Sequence, residues 1–145
     1  MTNDTVYTIT QDHQESDAKF ISSQIDQFNL VKAPSAQVPS TETINLMVKD
    51  LEGRIVGGLL GSMNRFALYV SFLWVSEELR GQGYGSKLLE EVEGIVRAKG
   101  GKMIHLDTWS FQAPEFYKKQ GFEIFGVLEG FPEGFKRYFL KKDLG

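Results

Sequence analysis

The chain has 145 residues, 41% hydrophobic and 24% charged, a length and balance that fit one compact domain, so 1–145 is expected to form a single domain. With no cysteine, disulfides, zinc–thiolate sites and a cysteine nucleophile are excluded, and no metal site is expected. The formal net charge of −3, with basic residues dispersed in pairs such as Lys118–Lys119 and Lys141–Lys142, argues against a nucleic-acid footprint; the polar start Met1–Ser16 and the lack of a bilayer-length apolar run point to a cytoplasmic protein with no membrane segment.

A short strand is expected at Val6–Thr10, followed by an amphipathic helix over Ser16–Asn29, where Phe20, Ile21, Ile25 and Phe28 fall on one face behind the caps Ser16 and Asp17. Val31–Thr43 carries Pro34, Pro39 and small polar residues without periodicity, a loop of the length that often borders a site. Ile44, Leu46 and Val48 alternate with polar positions, Leu51-Glu52-Gly53 supplies turn chemistry, and Ile55–Met63 returns, which reads as a hairpin. Ala67–Val75 is nearly all apolar or aromatic and is expected to be a central strand covered on both faces. Leu88, Leu89, Val92, Ile95 and Val96 fall at helical spacing within Gly83–Lys99, and Gly100-Gly101 ends that helix. A strand at Met103–Thr108, a short helix at Ala113–Gln120 and strands near Glu123–Leu128 and Phe135–Lys141 close the chain.

The chemistry is concentrated at Arg80-Gly81-Gln82-Gly83-Tyr84-Gly85-Ser86, a glycine-rich turn between a strand and a helix. Free backbone N–H groups and the helix dipole favour an anion there, and glycines at 81, 83 and 85 let the chain bend and a diphosphate approach the amides. A dinucleotide fingerprint fails, because counting from Gly81 its last glycine position holds Ser86. A P-loop fails too, because Gly85-Ser86-Lys87-Leu88 reverses the required lysine–serine order. No G-x-S-x-G of a serine hydrolase occurs, and His13 and His105, the two histidines, have no obvious partner.

With Arg80, Gly83 and Gly85 meeting the pattern [Q/R]-x-x-G-x-[G/A], the sequence resembles the GNAT superfamily of N-acetyltransferases. The likeness extends back through Leu73–Leu79 and forward through Gln112-Ala113 to Tyr117-Lys118-Lys119-Gln120-Gly121-Phe122. It implies an α/β fold built on a mixed, mostly antiparallel sheet with a splayed parallel pair at strands four and five. It also implies acetyl-coenzyme A as cofactor, with backbone groups of Leu73 and Val75 pairing the pantetheine arm as an added strand would and amides from Gly81 to Ser86 holding the diphosphate. Tyr117 matches the family tyrosine near the departing sulfur; its phenol, of ordinary pKa about 10, can donate to a thiolate of pKa near 8.5. The glutamate that the family often carries on the fourth strand is absent from Ala67–Val75. Asp107 on the fifth strand is a substitute base, and a water chain is an alternative. Ser110 stands where many relatives have asparagine, able to cap the following helix or reach the cofactor.

Trp109, Phe111, Phe131 and Phe135, with Glu129 and Glu133 among them, can receive an alkylammonium or simply pack. The function these observations imply is direct transfer of an acetyl group to a primary amine, of a small molecule in preference to a protein lysine or N-terminus, with a non-catalytic acyl-coenzyme A sensor as the rival from another class. A symmetric homodimer is common among soluble chains, and the sequence leaves that state open.

Overall fold

The computed structural model describes residues 5–34, 41–130 and 132–145, and the chain divides into two compact units, Met1–Pro39 and Ser40–Gly145. In the first unit, residues 5–10 have no regular structure, so the strand expected at Val6–Thr10 does not form. A strand needs a neighbour to pair its N–H and C=O groups, and the described part of this unit offers only a helix. That helix, α1 (Glu15–Lys32), starts one residue earlier and ends three later than expected. Asp17 lies inside its first turn, where its Oδ2 accepts the N–H of the cap residue Gln14 at 2.9 Å. The loop expected at Val31–Thr43 is shortened at both ends, and 35–40, with Pro39, lie outside the described residues.

The second unit begins with the expected hairpin, β1 (Glu42–Lys49) and β2 (Ile55–Met63). Asp50 builds its turn: Oδ1 accepts the N–H groups of Glu52 and Arg54, both at 2.9 Å, while Gly53 takes the left-handed φ of 82°. There follow β3 (Ala67–Val75), a short 3-10 turn at Glu77–Leu79, α2 (Tyr84–Ala98), β4 (Met103–Trp109), α3 (Pro114–Lys119), β5 (Glu123–Glu129) and β6 (Lys136–Asp143). The strands form one sheet in the order β1-β2-β3-β4-β6-β5. Every neighbouring pair is antiparallel except β3 with β4, the parallel pair expected as strands four and five when Val6–Thr10 is counted first.

That pair runs in register only from Ala67↔Met103 to Val70↔Leu106 and then parts. The register of β2 on β3 shifts at the same level, where Gly61 opposes Val70 and Leu60 opposes Phe72, leaving Ser71 as the extra residue of a β-bulge. An extra residue inverts which side chains face the core. Leu68 and Val70 are buried before the bulge, and Leu73 and Val75 pack against the core after it. Phe72 and Trp74 stand 68% and 51% exposed, so β3 is not covered on both faces as expected. Only one face carries α2, whose Leu88, Leu89, Val92 and Val96 meet Leu59, Leu68, Ile104 and Leu140 of the sheet. Core packing thus fixes the paired half of β3 and β4, and the unpaired half opens as a cleft.

Candidate active site

After β3, the Ser76 N–H donates to Val56 O at 2.8 Å, and the 3-10 turn carries the chain away from the sheet. Gly81 and Gly83 take φ of 81° and 82°, the left-handed conformation that a side chain would strain. The first bond of α2 runs from the Lys87 N–H to Gly83 O at 3.0 Å. The amides of Gly81, Gly83, Tyr84, Gly85 and Ser86 therefore have no backbone partner among the described residues, and they gather at a helix start where an anion is favoured.

Two expectations for this turn are corrected. The Gln82 N–H is engaged with Leu79 O at 3.2 Å and its Nε2 donates to Glu78 O at 3.0 Å, which removes Gln82 from the amide cluster. Gly85 is helical, and its lack of a side chain serves packing: a Cβ there would lie 3.0 Å from the Phe116 ring.

The splay exposes an edge of β3. Ser76 faces β2 with its N–H, so strand alternation turns the peptide groups of Leu73 and Val75 the other way, into the gap left by β4. Arg80 Nε reaches Val75 O there at 3.4 Å. An extended chain carrying amides, such as a pantetheine arm, fits this edge, and the five free amides fit its diphosphate. Between the edge, the amide turn, β4 and α3 lies a cleft of about 770 Å³.

Tyr117 lines the cleft from α3 while being only 9% exposed. Its ring is held edge-on by Phe116 at 5.2 Å and Phe122 at 5.8 Å, and its hydroxyl has no hydrogen-bond partner among the described residues. Burial pushes the phenol up to about 12, so it keeps its proton.

Asp107 is the one carboxylate among the described residues lining the cleft, just past Leu106, the last residue of β4 paired with β3. Tyr69 Oη donates to its Oδ1 at 2.6 Å, while Arg137 donates to Oδ2 through Nε at 2.8 Å and through a short contact from Nη2. Arg137 in turn lies over the Trp109 ring, 5.4 Å from its centroid. The hydrogen bond to Asp107, with burial, raises the Tyr69 phenol as well. Tyr69 and Arg137 were not legible as site residues, being 38 and 30 positions from Asp107 in sequence. The signal available was strand alternation, which puts Tyr69 on the face opposite Leu68 and Val70.

Ser110 lies off the cleft lining and does not cap α3: its Oγ accepts the Lys136 N–H at 3.0 Å, extending the β4–β6 pairing. Gln112 Oε1 instead accepts from Thr108 Oγ1 and the Trp109 N–H, both at 2.9 Å, tightening the entry to α3. His105 packs on Tyr69 at 5.3 Å, and burial lowers its pKa; it does not line the cleft. His13 belongs to the first unit, where Nδ1 lies 2.8 Å from Gln11 O. Trp109 stacks on Phe111 at 5.9 Å and Phe135 meets Phe111 edge-on at 5.3 Å; Phe131 is outside the described residues.

A model of the acetyltransferase (GNAT) family matches residues 10–122. The chain belongs to that family. This acetyltransferase is 36% identical over 93 residues to blasticidin-S acetyltransferase of Streptomyces morookaense, covering 63% of this chain and 68% of that one. It is 40% identical to a crystallised acetyltransferase from Bacillus cereus ATCC 14579, with a TM-score of 0.87 over 94% of this chain and 98% of the other. An aminoglycoside 6'-N-acetyltransferase crystallised with coenzyme A shares the fold at 17% identity, with a TM-score of 0.63 over 91% and 95% of the two chains. The protein is thus an N-acetyltransferase with acetyl-coenzyme A as its co-substrate. No helix among the described residues is long and apolar enough to cross a membrane.

Proposed function

We propose that this acetyltransferase moves an acetyl group directly from acetyl-coenzyme A to the primary amine of a small molecule, both substrates being held in the cleft at once. The observation that carries the reading is the meeting, in one cleft, of the free amide turn, the open edge of β3 and the unpartnered hydroxyl of the buried residue Tyr117. Bound acetyl-coenzyme A supplies the acetyl group as an activated thioester. The amides of Gly81, Gly83, Tyr84, Gly85 and Ser86 bind the diphosphate, with Arg80 beside them, and the peptide groups of Leu73 and Val75 orient the arm. Gln82 and Ser110 are left out of that set.

Tyr117 holds at Oη the proton that the leaving sulfur takes up. Asp107, fixed by Tyr69 and Arg137, presents negative charge to the acceptor's amine and receives its proton through water. Phe111, exposed and lining the cleft, offers a face to the body of that amine. A small acceptor is supported by the likeness to blasticidin-S acetyltransferase. A cytoplasmic setting is part of the proposal.

Amine-dependent thiol release, measured with acetyl-coenzyme A against a panel of small amines and lysine peptides, tests the reading. Turnover on small amines is expected; preference for peptides would move the acceptor to proteins, and release that no amine stimulates would sink direct transfer. In the same assay Tyr117→Phe is expected to lower kcat by at least about 100-fold while acetyl-coenzyme A binding stays within about twofold by calorimetry. Equal turnover would remove Tyr117 as the donor.

A further inference from the structure

The helix that carries Tyr117 has little to hold it in place by itself. α3 is six residues long, its N-cap Ala113 provides no side-chain bond, and so short a helix takes its position from tertiary contacts. Two of those contacts lead to the first turn of α2, the segment that presents the free amides. At Gly85 the Phe116 ring approaches so closely that a Cβ would meet it at 3.0 Å. One residue on, Ser86 Oγ accepts a hydrogen bond from Gln120 Nε2 at 2.9 Å, across 34 positions of sequence.

Phe116 and Gln120 are four apart and share a face of the helical turn, while Tyr117, the next residue after Phe116, lies about 100° round it and lines the cleft. The C-terminal side is locked too, where the Gln120 and Phe122 N–H groups both donate to Tyr117 O at 3.0 Å. We propose that Gln120 is a positioning residue: through Ser86, and together with the Phe116–Gly85 contact, it registers the Tyr117 hydroxyl against the amide turn. A direct α2–α3 clasp then helps to set the distance from the anion site to the proton donor, beside the packing of Tyr117 in the core. Gln120 lies off the cleft lining, and Phe116 lines the cleft beside Gly85. The inference rests on Tyr117 as the proton donor, and its test has one arm independent of that role.

That arm uses the protein without cofactor. Tyrosinate absorbance is recorded immediately after an alkaline pH jump, and subtraction of the Tyr117→Phe signal isolates Tyr117. Gln120→Met, which keeps side-chain length and removes the donor, is expected to shift the Tyr117 midpoint from about 12 toward the ordinary phenol value near 10, as the loosened helix admits water. Ser86→Ala, which keeps the amide, is expected to shift it equally, and the double variant no further.

In turnover, Gln120→Met is expected to lower kcat roughly 10- to 100-fold, with KM for acetyl-coenzyme A within about twofold and no additional fall in the Tyr117→Phe background. An unchanged midpoint in both single variants, or a full additional loss in that background, overturns the proposal. If Tyr117→Phe alone retains activity, the donor role fails and the midpoint shift alone decides whether the clasp exists. Should Gln120→Met not fold, Ser86→Ala carries both measurements.

Discussion

Burial makes the Tyr117 phenol an acid that keeps its proton, and it also ties the phenol to the stability of the fold. Raised from 10 to about 12 by desolvation, the group binds its proton more tightly folded than unfolded. Its contribution is complete below pH 10 and is lost as pH rises through about 12. By pH 12 the loss amounts to about 2 kcal/mol. Tyr69, raised by its hydrogen bond to Asp107 and by burial, acts in the same direction. Urea midpoints measured between pH 9 and pH 12 (about three units, spanning the range where an ordinary and a buried phenol titrate) are expected to fall steeply in the wild type and less steeply in Tyr117→Phe. Identical profiles would mean that water reaches the hydroxyl in the folded state.

Among the elements, α2 has a defect that can be repaired. Gly94 sits in the interior of the helix on its exposed side, with ordinary φ and nothing within 4 Å of the position a Cβ would take. Gly94→Ala is expected to raise stability by about 1 kcal/mol, or the melting temperature by about 3 °C, without changing KM; thermal unfolding of the two proteins checks it. Gly85, nine positions earlier in the same helix, must stay small because Phe116 lies against it, a contact with a distant segment that the glycine-rich motif does not announce. The same limit governs the rest of the fold. The alternation of Ile44, Leu46 and Val48, the apolar run Ala67–Val75 and the spacing of Leu88, Leu89, Val92 and Val96 give the hairpin, β3 and α2, because each pattern reports a face buried against the core. The bulge at Ser71 leaves no mark in composition, so the exposure of Phe72 and Trp74 was not legible. Val6–Thr10 has local strand preference but no strand to pair with among the described residues of its unit. In the site, the glycine turn and Tyr117 stood out by local pattern, whereas Tyr69, Arg137 and Gln120 matter through contacts between distant segments.

At the scale of the whole sheet, β6 is inserted between β4 and β5, so the last strand must be secured for the cleft-bearing half to persist. α2 secures it. Glu93 Oε2 meets Lys142 Nζ at 3.0 Å and its Oε1 meets Arg97 Nη2 at 3.1 Å; Arg97 Nη1 donates to Leu144 O at 2.6 Å. Leu144 is buried, and its N–H donates to Lys102 O at 2.8 Å. Burial alone would raise the Glu93 carboxyl, but hydrogen bonds from Lys142 and Arg97 outweigh it and hold the group below its ordinary value of 4.5. A depressed carboxyl stabilises the fold above its unfolded value and loses that contribution as pH falls through the folded one. Acid unfolding of the wild type is therefore expected to steepen below pH 4.5. Glu93→Gln should be less stable at neutral pH, because Lys142 and Arg97 lose their charged partner, and should show a shallower acid limb. Chemical denaturation across the acid range checks both; a variant as stable as the wild type at neutral pH, with the same acid slope, would show that β6 is held by its strand neighbours and the buried Leu144 alone.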